Sequence, residues 1–135
     1  MPLILNEPVT TEMMDERRRD PEMVVWWATE VECESAVARV ERDGVVASAD
    51  AELARERLAE LSETWREVEP GDLQRRAARR LLRTHPLRAG DALQLAAALL
   101  ASDGDPAALE FVTLDDRLAE AARREGFRVT PQQQV

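Results

Sequence analysis

The chain has 135 residues and a net charge of −9, and all 18 of its basic residues are arginine. Without lysine, a Walker A phosphate loop and Schiff-base chemistry are excluded. With only His85 and Cys33, a multi-ligand zinc site and an internal disulfide are excluded as well. No apolar run is long enough to span a membrane, and the N-terminus lacks a signal-peptide pattern. We therefore expect one cytoplasmic globular domain, residues 1–135, with a flexible tail from about 131.

Apolar periodicity and capping residues predict an alternation of strands and helices. In chain order, the predicted elements are the end of an apolar helix or strand at 1–6, a short helix at 10–20 stopped by Pro21, a strand at 23–27, a helix at 29–42 followed by Gly44, a helix at 48–65, a very short strand at 66–70, an arginine-rich helix at 71–84, an apolar helix at 91–102, a strand at 109–113, a helix at 118–125 and a strand at 127–129. Thr29 and Ser48 are the expected N-caps, and Trp26 and Trp27 are expected to pack in the core. The alternation predicts an α/β domain with a parallel sheet.

Three carboxylates fall near the ends of these predicted elements. Asp91 opens the apolar helix in LRAGDALQLAAALLA, Asp115 follows the strand LEFVT, and Glu32 lies one turn into the helix after MVVWW. Sites in open parallel sheets lie at the carboxyl ends of the strands, so the three acids are expected to converge. Clustered carboxylates repel one another and need a cation. Oxygen ligands without histidine or cysteine favour Mg²⁺ or Mn²⁺.

The segments ATEVECESAVAR, HPLRAGDALQLAAAL and FVTLDDRLAEAARREGF resemble, in order and spacing, motifs of the PIN-domain family, specifically its small bacterial VapC-like toxins. The resemblance implies a parallel sheet flanked by helices and a metal-dependent endoribonuclease of a type II toxin–antitoxin pair. Its implied catalytic and metal-binding residues are Glu32, Asp91 and Asp115, with Asp116 as a less favoured fourth acid and Thr113 as a hydroxyl beside the site. The implied partners are an RNA substrate, an antitoxin protein and a second copy of the chain.

The chain departs from the family pattern at its N-terminus. MPLILNEP resembles the helix that follows the family's first strand, so that strand and its aspartate are missing. Either Met1 is an internal residue of a longer protein, which we favour, or the chain is a degenerate copy. We expect three acids to give weak or no ribonuclease activity and marginal stability. The alternative function is a catalytically impaired PIN-like module that binds protein.

Simpler structural roles compete with each functional one. Asp91 and Asp115 would serve as helix caps, and Glu32 would be solvated like most helical glutamates. The row Arg75, Arg76, Arg79, Arg80 and Arg83 fits RNA phosphates, but such rows are more often solvated and paired with nearby acids. A groove for a partner helix would be lined by Leu53, Leu58, Leu61 and Trp65. We expect at least half of these residues to pack in the core of the protein instead.

Overall fold

The computed structural model describes residues 23–130, and the predictions for residues 1–6, 10–20 and 131–135 lie outside this range. The described residues form a mixed α/β structure. Its elements are β1 (Val24–Trp26), α1 (Thr29–Arg42), α2 (Ser48–Ser62), β2 (Arg66–Val68), α3 (Asp72–Thr84), α4 (Ala89–Ala101), a 3₁₀ turn (Pro106–Ala108), β3 (Glu110–Val112), α5 (Asp116–Arg124) and β4 (Arg128–Thr130). Each element predicted between residues 23 and 130 is present, and the bounds differ by a few residues at most.

The expected N-caps at Thr29 and Ser48 are wrong. Ala28 and Ala47 occupy the N-cap positions, and neither helix start has a side-chain cap hydrogen bond. Thr29 is itself buried as the first residue of α1. The Ser48 hydroxyl donates a hydrogen bond to the Glu41 carboxylate and makes no cap hydrogen bond to its own helix.

The prediction that α1 ends before Gly44 is confirmed. Gly44 has φ +73°, a left-handed conformation that glycine adopts without steric cost. The N–H of Val45 donates to the carbonyl of Val40 at 2.9 Å, and the N–H of Gly44 donates to that of Glu41 at 3.1 Å. This pair of bonds is a Schellman motif, and it satisfies two of the carbonyls that the end of a helix leaves without partners.

The strands form two separate pairs within the described part of the chain. β3 and β4 are parallel, with Phe111 opposite Val129. β1 pairs with β2, and the N–H of Trp27 donates to the carbonyl of Val68 at 2.9 Å. The sequence predicts one sheet that contains both 23–27 and 109–113, whereas among residues 23–130 these two strands belong to different pairs.

The chain divides into two compact units. The first contains Val24–Trp27 and, of the described residues, 67–130; the second contains Met23 and Ala28–Arg66. In the first unit α3 packs on α4, and α4 packs on β1. The core of this unit comes from α3, α4, α5 and the β3–β4 pair, and it includes Leu81, Ala92, Leu95, Ala96, Phe111, Leu118, Ala122, Phe127 and Val129.

The expected burial of the apolar helix is confirmed, because Ala92, Leu95, Ala96 and Ala97 of α4 are all buried. The tryptophan prediction holds only for Trp26, which is buried, while Trp27 is 52% exposed. Successive strand residues point to opposite sides, so adjacent tryptophans at the end of β1 cannot both face one core.

The second unit is built from α1 packed on α2. Cys33 and Val37 of α1 are buried, as are Ala51, Ala54, Leu58 and Leu61 of α2. Burial, reinforced by the charges of Glu32 and Glu30, raises the pKa of the Cys33 thiol to about 11. The predicted α2 groove is therefore mostly core: Leu58 and Leu61 are buried and Trp65 half-buried, and only Leu53 of that set is exposed. No helix in residues 23–130 has the length and apolar character needed to cross a bilayer.

Candidate functional site

Asp91 lies in the first turn of α4 and does not occupy the N-cap position. The N-cap is Arg88, which has extended backbone and no side-chain cap hydrogen bond. The Asp91 carboxylate instead accepts a hydrogen bond from the backbone N–H of Arg88. An acid at the third helical position that reaches back in this way forms one half of a capping box. The simple N-cap role for Asp91 is therefore wrong, although the side chain does help to begin the helix.

Asp115 is the N-cap of α5, so the capping role considered for it is confirmed. Its Oδ1 accepts a hydrogen bond from the N–H of Leu118 at 2.9 Å. Its own N–H donates to Oγ1 of Thr113 at 3.1 Å. Thr113 is buried directly after β3, and its N–H donates to the carbonyl of Thr130 at 3.0 Å. This hydroxyl thus holds the turn that carries Asp115 from the end of the strand to the start of the helix.

The structure places the carboxylates of Asp91 and Asp115 within electrostatic reach of each other. Partial burial raises the pKa of Asp91, the negative charge of Asp115 raises it further, and Arg88 opposes both effects. Asp91 is half-buried and Asp115 is exposed. A half-buried acid beside a second acid is costly to ionise, so the pair favours an external positive charge. Both residues start helices, as the sequence predicts.

The other sequence-predicted site residues have different surroundings. Glu32 lies in the first turn of α1, in the second unit, and is half-buried, while Glu30 and Glu34 on the same helix are exposed. Glu32 is therefore less exposed than the other two glutamates near the start of α1. Asp116, the less favoured fourth acid, is the exposed first residue of α5. Within residues 23–130, no three His, Cys, Asp or Glu side chains are grouped so as to hold a metal ion.

Gln94 is a polar residue near the pair that the sequence reasoning did not select. It lies one turn after Asp91 on α4, and its Oε1 is buried without a hydrogen-bond partner among the described residues. A buried amide oxygen without a partner costs about 1–3 kcal/mol. The signal was present in the sequence, because Gln94 is the only polar residue in the apolar run that follows Asp91. Neutral and charged oxygens of this kind are ligands that Mg²⁺ and Mn²⁺ accept, so the donor set of the first unit fits a hard divalent cation.

A second polar cluster was also missed. His85, at the C-cap of α3, is buried, and its Nε2 lies 2.7 Å from Oε2 of Glu125. Arg80 donates to both oxygens of Glu125, at 2.7 and 3.2 Å. His85 and Glu125 are 40 positions apart, and no local pattern connects them. The cluster ties the end of α3 to the end of α5, which is a structural role.

Comparisons with models of known protein families and with curated proteins find no match to this chain.

Proposed function

We propose that the chain is a metal-dependent endoribonuclease, the toxin of a toxin–antitoxin pair, that cleaves RNA phosphodiester bonds at a carboxylate-bound Mg²⁺ or Mn²⁺ site. The observation that carries the proposal is the pair Asp91 and Asp115, in which the pKa of Asp91 is raised by its burial and by the second carboxylate. Acids with perturbed pKa values that are held together by the fold are more common at functional sites than elsewhere. The PIN-like motifs around both residues supply the reaction class.

In the proposed site the carboxylates of Asp91 and Asp115 would hold the ion, and Gln94, one turn after Asp91, has a buried Oε1 without a partner among the described residues. Glu32 remains the predicted third acid and Asp116 the secondary one. The bound ion supplies an activated water and stabilises charge on the phosphoryl group. Thr113 acts through Asp115, because its hydroxyl fixes the turn on which that carboxylate lies. It is therefore a positioning residue.

The antitoxin and the second copy of the chain are proposed partners on the strength of the resemblance alone. A net charge of −9 favours a basic protein partner over an acidic one. The competing function is a PIN-like module that binds protein without catalysis.

The test is Mn²⁺-dependent cleavage of a mixed RNA pool by the purified chain, followed by gel electrophoresis. Asp91→Asn keeps the side-chain shape and the capacity to accept from Arg88, so we expect the weak cleavage predicted for this chain to be lost while the protein stays folded. Asp72→Asn is the matched control, since Asp72 also lies in the first turn of a helix but is exposed and paired with Arg75. Equal cleavage by wild type and Asp91→Asn would disprove the site, and metal-independent or absent cleavage by the wild type would favour the binding module.

A further inference from the structure

Helix α3 carries three exposed arginines that make no ion pair among residues 23–130. Its sequence, DLQRRAARRLLRT, contains five arginines and one aspartate. Arg75 pairs with Asp72, and Arg80 pairs with Glu125. The other three, Arg76, Arg79 and Arg83, are exposed and make no ion pair with any residue between 23 and 130. We call these three residues the α3 arginine stripe.

The stripe lies on the side of α3 that faces solvent. At 3.6 residues per turn, its three members fall within a sector of roughly 60°. The buried residues of α3 are Gln74, Ala78 and Leu81, and they fall on the opposite side of the helix. The stripe is therefore not part of the packing between α3 and α4. Its guanidinium groups are directed to solvent and meet no acidic side chain among residues 23–130.

The acidity of the chain makes these unpaired arginines informative. Asp and Glu number 27 against 18 basic residues, so acids are in excess. Some arginines do meet acids, and Arg55 alone meets Glu34, Glu41 and Glu52, at 3.1, 2.8 and 3.4 Å. Arg39 and Arg42 on α1 also make no ion pair among residues 23–130, so α3 is distinguished by carrying three such arginines along one face. Three aligned arginines that meet no acid in the described part of the chain form a local positive strip. The rest of the chain is acidic and repels anions. Such a strip is complementary to a linear polyanion.

We propose that the α3 arginine stripe binds the phosphate backbone of single-stranded RNA. Guanidinium groups contact phosphate oxygens in a bidentate manner and remain charged at every physiological pH. The C-terminal member, Arg83, is separated only by the short connection 85–88 from the start of α4, where Asp91 lies. The inference rests on the proposed ribonuclease function, and it assigns to α3 the contact that guides the RNA strand along the first unit. Phosphate contacts carry no sequence information, so the stripe contributes affinity and not target choice.

The test measures binding separately from cleavage. A fluorescently labelled 12-nucleotide RNA is titrated with the protein in EDTA at several salt concentrations, and anisotropy is recorded. We expect Arg76→Gln/Arg79→Gln/Arg83→Gln to bind at least tenfold more weakly at low salt. Each phosphate contact on a single strand contributes about 0.7 to the slope of log K against log salt, so loss of three contacts lowers that slope by about 2. Single-stranded DNA of the same length should bind about as well as RNA and lose affinity in the same variant.

The matched control removes the same three charges elsewhere. Arg39 and Arg42 are exposed on α1, and Arg124 is exposed on α5. The variant Arg39→Gln/Arg42→Gln/Arg124→Gln should keep the wild-type salt slope and bind within about threefold of it. Circular dichroism and thermal unfolding of both variants establish that each is folded.

Equal losses in the two triple variants would overturn the stripe, because the effect would then follow from net charge alone. Unchanged binding by the α3 variant would overturn it as well. If a polyglutamate peptide binds more tightly than RNA and shows the same loss, the stripe is a docking surface for an acidic protein segment, and the RNA proposal fails. Cleavage is measured separately with Asp91→Asn, which removes a proposed metal ligand and leaves the stripe intact. Loss of cleavage in Asp91→Asn with a failed stripe test would therefore leave the proposed function standing.

Discussion

The imidazole of His85 and the carboxylate of Glu125 meet at 2.7 Å inside the first unit, between the end of α3 and the end of α5. The side chains are 3% and 13% exposed, and Arg80 completes the cluster from the solvent side. A buried imidazole needs a partner for its ring nitrogens, and Glu125 supplies one. The contact therefore makes the packing of two helix ends depend on a single carboxylate.

Glu125→Ala should lower the free energy of unfolding by about 2 kcal/mol, because it leaves Nε2 of His85 buried without its partner. The measurement is urea denaturation followed by circular dichroism. Glu120→Ala is the matched control on the same helix, since Glu120 is 55% exposed and pairs only with Arg123 and Arg124 in the described chain. It should change the free energy by less than about 1 kcal/mol. Equal effects of the two substitutions would show that the buried contact contributes nothing beyond an exposed ion pair.

The Glu125 contribution should also depend on pH. Hydrogen bonds from Arg80 lower the pKa of Glu125 more than partial burial raises it, and the bond to His85 lowers it further. A carboxyl whose pKa is lower in the folded state stabilises the protein above its unfolded pKa, which is about 4.3 for glutamate. That stabilisation is lost as the pH falls through the lower folded value. The stability difference between wild type and Glu125→Gln should thus be constant near neutrality and shrink below about pH 4, and a difference that grows on acidification would contradict the account.

Gln74 offers a separate test of the packing between α3 and α4. It is 2% exposed, and its Nε2 donates to the backbone carbonyl of Leu93 at 2.9 Å. The carbonyl lies within α4 and keeps its own helical partner. We therefore expect the volume of the Gln74 side chain to contribute more to stability than its hydrogen bond does. Gln74→Met, which preserves volume, should change the free energy of unfolding by less than about 1.5 kcal/mol. Gln74→Ala should cost about 2–3 kcal/mol because it leaves a cavity; similar losses in both variants would show that the hydrogen bond dominates.

The elements of residues 23–130 could be predicted because they depend on local signals. Gly44 ends α1 through its left-handed backbone, and Asp115 caps α5 as the sequence indicates. Strand pairing depends on contacts between distant segments, and the sequence predicted one sheet for 23–27 and 109–113 where two pairs are found among the described residues. The exposure of Trp27 was missed for a related reason, since the number of covered faces of a strand is set by its neighbours.

The candidate site could be predicted only in part. Asp91 and Asp115 were selected because each lies at the start of a helix in a recognisable motif, and the negative charge of Asp115 contributes to the raised pKa of Asp91. Gln94 stands out in the sequence as the only polar residue of the apolar run after Asp91, but the sequence does not show whether its amide has a hydrogen-bond partner. His85 and Glu125 were overlooked because 40 positions separate them. Sequence periodicity reports which side of an element is buried, but it does not report which distant side chain lies opposite.

The role of Glu32 can be tested against its own helix. Glu32 and Glu30 both lie in the first turn of α1, but Glu32 is half-buried and Glu30 exposed. If Glu32 is the third metal ligand, Glu32→Gln should weaken Mn²⁺ binding at least tenfold by isothermal titration calorimetry, since affinity follows the charge and number of ligands. Glu30→Gln removes a negative charge two residues away and should change the Mn²⁺ affinity by less than threefold. Equal affinities for wild type and Glu32→Gln would remove Glu32 from the site and leave the Asp91 and Asp115 assignment unaffected.

Asp91 should be destabilising in the protein as it exists, which is the signature of a residue retained for function. Its folded pKa is raised by burial and by Asp115. A carboxyl whose pKa is higher in the folded state than in the unfolded state favours folding when it is protonated. This contribution is complete below the unfolded pKa and is lost as the pH rises through the folded pKa. At neutral pH the ionised group therefore opposes folding, and Asp91→Asn should increase the free energy of unfolding.

The gain in the free energy of unfolding from Asp91→Asn should disappear on acidification, because a protonated Asp91 and an asparagine are both neutral. It should also shrink in millimolar Mn²⁺ if the ion binds the folded wild type. Urea denaturation at pH 7 and pH 3, with and without Mn²⁺, separates these cases. Asp116→Asn is the neighbouring control, because Asp116 is exposed on α5 and no stabilisation is expected from its neutralisation. If Asp91→Asn destabilises the protein at neutral pH in the absence of metal, then the hydrogen bond to Arg88 outweighs the electrostatic cost, and Asp91 is a structural residue of the helix start and not the centre of a cation site.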